Sequence, residues 1–165
     1  MHLHPVRSSM FIIALVAAFS APAMMAFDRK QLLDQGEVYV VALHDTYLSA
    51  AKELKGARHP EIPKYFKERA AAIEAGEDCF PAHPTEWPIS DAKTKAQLEW
   101  AYEETFDVVT SEAGDVEPYL TANVQVAYEQ WLITMSIDPK DPDGPQLAAA
   151  FDQRLNALTV SPRVS

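Results

Sequence analysis

The chain has 165 residues, of which 48% are hydrophobic, and its formal net charge is −10. That length fits a single domain, and the apolar content is too high for a disordered acidic tail. With 24 acidic and 14 basic residues, the composition argues against nucleic acid and against anionic lipid headgroups as partners, because both bind clustered Lys and Arg side chains.

The N-terminus has the pattern of a secretory signal peptide. Two histidines and Arg7 precede an uncharged run over residues 10–19, and residues 21–23 form a small-residue cleavage site. We therefore expect a signal peptide over residues 1–23, cleavage after Ala23 or alternatively after Ala26, and a periplasmic or secreted mature chain without a membrane span. If cleavage fails, residues 10–27 would instead anchor the protein in a membrane at its N-terminus.

Five stretches of the mature chain carry apolar side chains at helical spacing: residues 28–55, 59–75, 90–114, 115–138 and 145–159. Between the second and third, residues 77–89 contain Pro81, Pro84 and Pro88 and cannot form a regular helix. No stretch alternates with period two, so no sheet is expected. The sequence predicts an all-α fold, an antiparallel bundle of four to five helices with a Pro-rich crossover, in one domain over residues 24–160 with a frayed tail at 161–165.

The large aromatic side chains are mostly expected in the core, because their spacing follows the apolar stripes of the predicted helices. This group comprises Trp87, Tyr102, Phe106, Tyr119, Tyr128 and Trp131, and Phe80 is costly to leave in water as well. Trp100 is the exception, since it lies off the stripe of its helix. It is expected to cover the crossover or to mark an interface.

No pattern for catalysis, for a cofactor or for a strong metal site occurs in the mature chain. Its three histidines do not form a Glu-x-x-His or His-Glu-x-x-His motif, and neither Cys-x-x-Cys-His nor Gly-x-Ser-x-Gly is present. Asp138, Asp141 and Asp143 before Gly144 resemble part of a calcium loop, but Ala150 stands where such a loop has its terminal Glu. These residues therefore predict a turn, and weak surface calcium binding is the alternative. We therefore expect no enzymatic activity and no cofactor.

An acidic ridge is predicted on one helix. Glu99, Glu103 and Asp107 follow one another at a spacing of four residues, where like charges repel, so the ridge does not serve helix stability. A solvated face is one interpretation, and a docking surface for a basic partner or a divalent-cation site is the other. Together with Trp100, these residues are the candidate interaction surface.

Cys79 is the single cysteine of the chain. In an exported protein, a cysteine without an intramolecular partner is either a buried thiol or part of a disulfide between two copies. Both alternatives are kept, and the thiol is not expected to be reactive, because an acidic neighbour such as Glu77 raises rather than lowers its pKa.

A family resemblance rests on three segments. Residues 65–77 form an alanine-rich helix end, residues 81–89 a proline-punctuated crossover, and residues 127–131 (AYEQW) an aromatic–acidic–x–Trp element. In this arrangement, which spans most of the mature chain, the protein resembles the N-terminal helical region of OmpA-family envelope lipoproteins of Gram-negative bacteria. The resemblance implies a helical fold and an envelope location.

The chain departs from that family at several positions. Residues 23–27 contain no lipid-attachment cysteine, and Gln130 and the alanines around Ala148 stand where the family carries two further cysteines. No OmpA domain follows before Ser165, so the resemblance does not imply peptidoglycan binding. The sequence predicts an exported, non-enzymatic helical protein of the bacterial cell envelope that binds another envelope protein or itself. A periplasmic protein that binds a small ligand or a divalent cation is the alternative.

Overall fold

The computed structural model describes residues 28–34, 36–77 and 80–164, and all regular structure in these ranges is helical. The α-helices are α1 (Arg29–Asp34), α2 (Val38–Glu53), α3 (Glu61–Glu74), α4 (Ala92–Thr110), α5 (Ala113–Val116), α6 (Pro118–Ile137) and α7 (Gly144–Thr159). The crossover between α3 and α4 contains a 3-10 turn, Pro84–Glu86. The predicted all-α class is confirmed. The predicted signal peptide and Cys79 lie outside the described residues.

Helix α6 lies at the centre of the bundle and contacts α2, α4, α5 and α7. Nearly every residue from Thr121 to Met135 is buried, because neighbours cover this helix on all sides. One apolar cluster lies between α4, α6 and α7, around Leu98, Tyr128 and Phe151. The other lies between α2, α3 and α6, around Tyr47 and Phe66. Helix α6 therefore joins the two halves of the core.

The helix expected over residues 28–55 is interrupted. Helix α1 ends at Asp34 and α2 begins at Val38, and between them Gly36 has a φ of 85°. That value lies in the left-handed region, which glycine adopts without a steric cost. The long apolar pattern therefore folds as a short helix, a turn and a long helix.

Several aromatic side chains expected in the core are exposed. Phe106 is 36% exposed, and Phe80 and Tyr119 are each 51% exposed. On α4, only the face with Leu98, Ala101 and Thr105 is buried, so Phe106 lies beyond the part that its neighbours cover. The Tyr119 hydroxyl donates a hydrogen bond to Asp45 at 3.2 Å. Helical spacing predicted the face of each residue, but the packing of neighbours decided its burial.

Side-chain contacts hold both ends of the described chain against neighbouring helices. Ser161 is buried, and its hydroxyl donates a hydrogen bond to Glu117 at 2.8 Å, so the start of the predicted tail is held against the beginning of α6. At the other end, Arg29 of α1 pairs with Asp45 of α2 at 2.6 Å. Across the described residues, none of the helices combines the length and the apolar character that crossing a bilayer requires.

Candidate functional site

The centre of the bundle holds a fully buried carboxylate, Glu129 of α6. It accepts hydrogen bonds from the Tyr47 hydroxyl at 2.8 Å, the Gln125 amide at 3.2 Å and the Ala82 backbone N–H at 3.3 Å. Arg69 adds a hydrogen-bonded ion pair at 3.3 Å. Burial raises the pKa of Glu129, and the charge of Arg69 and the other donors limit that rise by stabilising the ionised carboxylate.

Arg69 of α3 is held in one position by bonds on one side of its guanidinium. Nε donates to the Tyr47 hydroxyl at 3.3 Å, and Nη2 donates to Glu129 and to the Phe80 carbonyl oxygen. Burial alone would lower the pKa of Arg69. The nearby negative charge of Glu129 outweighs this effect, so the pKa lies above its usual value and the guanidinium stays protonated. The guanidinium also lies over the Tyr47 ring, 5.6 Å from its centroid.

The polar network continues along α2 and α6. Tyr39 donates a hydrogen bond to Gln125, and the Gln125 amide donates to Tyr47 at 2.9 Å as well as to Glu129. Gln125 and Glu129 share a face of α6, because they are four residues apart. This buried network extends from Tyr39 to Arg69 and links three helices. Sequence reasoning missed it, although polar residues inside an otherwise apolar helix such as α6 were a usable signal.

Beside this network lies a cleft of about 380 Å³ between α3 and the crossover, called here the Arg69 cleft. Its lining consists of Tyr65, Arg69, Phe80, Pro81, Ala82, His83, Glu86 and Trp87. The rings of Tyr65 and Trp87 meet edge to face at 5.7 Å, and the Tyr128 hydroxyl donates to the Ala82 carbonyl oxygen at 2.7 Å. The crossover is therefore fixed to α6 while its other side remains open to the cleft.

Four aromatic rings form a continuous row on the surface next to this cleft, called here the aromatic strip. His83 and Tyr102 are 4.5 Å apart between ring centroids, Tyr102 and Phe106 are 5.9 Å apart, and Phe106 and Phe80 are 5.8 Å apart. The strip joins the crossover to α4. Phe80 at one end of the row and Phe106 next to it are its exposed hydrophobic members.

The predicted acidic ridge runs along the same face of α4 as the strip. Phe106 follows Glu103 by three residues and Glu99 by seven, which places all three on one side of a helix. Glu103 and Asp107 are exposed, and Glu99 makes a loose pair with Lys95 at 3.9 Å. Helical spacing thus places acidic and aromatic side chains side by side on the surface of α4, although Phe106 was expected in the core.

Trp100 precedes Glu103 by three residues and Asp107 by seven, so it lies beside the acidic ridge on α4. It is partly exposed, and its ring meets Phe151 of α7 edge to face at 5.9 Å. The described ring contact of Trp100 is therefore with α7, and the ring that contacts Trp87 of the crossover is Tyr65 of α3.

Asp141, in the turn between α6 and α7, is buried and bound by three donors. Oδ2 lies 2.7 Å from His59 Nε2 and 3.4 Å from Arg58 Nη1, and Oδ1 accepts the Asp143 backbone N–H at 2.8 Å. The His59 hydrogen bond lowers the pKa of Asp141, with support from the Asp143 backbone N–H and the Arg58 charge. In the described ranges, no group of three or more His, Cys, Asp and Glu side chains could hold a metal ion, so the calcium alternative gains no support there.

No protein-family model, no curated protein and no solved structure matches this chain. The resemblance to the helical region of OmpA-family lipoproteins therefore stays a prediction from residues 65–89 and 127–131.

Proposed function

We propose that this protein is a non-enzymatic helical protein of the bacterial cell envelope that acts by binding another envelope protein. The observation that carries the proposal is the aromatic strip: its rings touch one another in a row, and Phe80 and Phe106 remain exposed. Contiguous apolar surface is costly to leave in water, and aromatic side chains are enriched where proteins bind one another.

The acidic ridge supports a partner with a basic rim. Glu103 and Asp107 stand beside Phe106 without an ion-pair partner among the described residues, so Lys or Arg side chains of a partner could pair with them. Such rim charges steer association and select the partner more than they add affinity. The export of the chain rests on separate grounds, namely the signal pattern over residues 1–23 and the family resemblance.

Site-specific photo-crosslinking in intact cells tests this surface. A photoreactive residue replaces Phe106, and a matched control replaces Val160, which is 70% exposed but lies outside the strip. We expect a discrete adduct from position 106 and none from position 160. Reversing the ridge with Glu103→Lys and Asp107→Lys should reduce the adduct by roughly tenfold, because attraction to a basic rim becomes repulsion.

The matched charge control carries Glu112→Lys and Asp152→Lys, two exposed positions outside the ridge with the same change in net charge. The proposal fails if position 106 gives no adduct above position 160, or if both pairs of reversals act equally. An adduct of twice the chain mass, together with a dimer in sedimentation, would identify the partner as a second copy. Intact-mass measurement of the periplasmic fraction tests export, and distinguishes cleavage after Ala23 from cleavage after Ala26 and from no cleavage.

A further inference from the structure

We propose that the Arg69 cleft is a binding site for a small apolar monocarboxylate. The carboxylate would lie on Nη1 of Arg69, and the apolar body would lie against Tyr65 and Trp87. This site is separate from the protein-binding surface of the previous proposal, and neither proposal depends on the other.

One side of the Arg69 guanidinium is left free by its internal bonds. The internal bonds of Arg69 use Nε and Nη2, whereas no acceptor among the described residues bonds to Nη1. The Arg69 side chain is 21% exposed, and Nη1 is not a buried atom, so this nitrogen reaches solvent. Because the internal bonds already fix the side chain, little conformational entropy is lost when Nη1 binds an acceptor.

The Arg69 cleft has the size and the chemistry of a site for a small ligand. Its volume of about 380 Å³ lies within the range of roughly 300–1,000 Å³ that is typical of small-molecule sites. Tyr65, Trp87, Pro81 and Ala82 supply mostly apolar walls, and the polar side chains of the lining are Arg69, His83 and Glu86. A cleft with largely apolar walls and one cation held in a fixed orientation fits a ligand that has one charged end and an apolar body.

The charges around the cleft favour a monoanion over a dianion. Glu129 already accepts hydrogen bonds from four groups, so it needs no ligand, but its charge offsets part of the charge of Arg69. Glu86 also lines the cleft and is exposed. A dianion such as a phosphate monoester would meet this repulsion twice, whereas a carboxylate meets it once and still gains a charge-assisted hydrogen bond.

A pair of ligands tests the site without any change to the protein. Phenylacetate and phenylacetamide have nearly the same shape, and only the first carries a carboxylate at neutral pH. Titration calorimetry on the mature chain should show phenylacetate binding about tenfold more tightly than the amide, because only the acid makes the charge-assisted bond to Arg69. Equal affinities, or no heat with about 10 mM phenylacetate, would overturn the proposal.

A second pair of measurements places the binding in this cleft. Glu86→Gln removes a like charge from the lining and should tighten phenylacetate binding by roughly two- to fivefold. The matched control, Glu112→Gln, removes the same charge from an exposed position outside the lining and should leave the affinity unchanged. Equal effects of the two variants would show that only net charge matters, and the cleft assignment would then be wrong.

A final comparison distinguishes two sources of the same chemical group. The tripeptide Ala-Ala-Phe presents an apolar carboxylate as a polypeptide C-terminus, whereas phenylacetate presents it as a free acid. Tighter binding of phenylacetate would assign the site to free acids, and tighter binding of the tripeptide would assign it to chain ends.

Discussion

Replacing Arg69 by methionine would leave a buried carboxylate without its cation. Methionine keeps an unbranched apolar side chain but removes the guanidinium, so Glu129 loses its ion pair. Three neutral donors to Glu129 remain: the Tyr47 hydroxyl, the Gln125 amide and the Ala82 N–H. The variant therefore measures how much the ion pair contributes beyond these hydrogen bonds.

The expected loss follows from the burial of the pair. Breaking a buried ion pair by removing one partner costs about 3–5 kcal/mol. Here the three remaining donors and the uptake of a proton by Glu129 offset part of that cost. We therefore expect Arg69→Met to lower the free energy of unfolding by about 2–4 kcal/mol near neutral pH.

The loss should depend on pH. Burial raises the pKa of Glu129, and removal of the Arg69 charge raises it further, so the folded variant holds a proton that the unfolded chain has released. Its free energy of unfolding therefore increases as the pH falls from the folded pKa of Glu129 toward the unfolded value near 4.3, by at most about 1.4 kcal/mol per pH unit. Urea unfolding followed by circular dichroism, at several values between about pH 5 and pH 7, measures the difference from the unchanged protein.

Arg58→Met is the matched control. Arg58 also pairs with a buried carboxylate, Asp141 at 3.4 Å, but its side chain is 57% exposed, so its loss should cost less than about 1 kcal/mol. Adding Glu129→Gln to Arg69→Met should remove the pH dependence, since no carboxylate remains to titrate. The reasoning is refuted if the two arginine variants cost the same, or if the Arg69→Met difference stays constant between about pH 5 and pH 7.

Two further predictions concern turns. The His59 hydrogen bond lowers the pKa of Asp141, so its stabilisation is present above the unfolded pKa near 3.9 and is lost as the pH falls through the folded value. Asp141→Asn should cost about 1–2 kcal/mol at neutral pH and flatten the acid-unfolding curve, and an unchanged curve would contradict this. Gly76→Ala should lower the free energy of unfolding by about 1 kcal/mol, because the φ of Gly76 is 78° and alanine is strained there. Gly114→Ala should change it by under about 0.5 kcal/mol, because the added Cβ would lie at an ordinary contact distance of 3.5 Å from Tyr39. Thermal unfolding measures both variants, and equal losses would refute the argument.

The helices could be predicted because their signals are local. In α3, Ile62, Phe66, Ala70 and Ile73 recur at helical spacing, and the structure buries all four. Gly76 follows the helix with the positive φ that terminates it. Periodicity and chain breakers within about twenty residues were therefore enough to define the class of fold.

The candidate sites could not be predicted in the same way, because their parts come from distant positions. The aromatic strip needs the crossover to place Phe80 against Phe106 of α4. The buried network needs α2, α3 and α6 to meet, since Glu129 lies 82 residues from Tyr47 and 60 from Arg69 along the chain. No local pattern encodes such meetings.

The sequence by itself determined an acidic chain of amphipathic helices with a proline-rich crossover. It did so because helix formation and termination depend on neighbouring residues. Only the tertiary structure decided that Phe106 is exposed while Glu129 is buried, although hydropathy alone favours the opposite for each. The physical reason is that burial depends on which neighbouring helices cover a face, and a buried charge persists where those helices also bring a cation and hydrogen-bond donors to it.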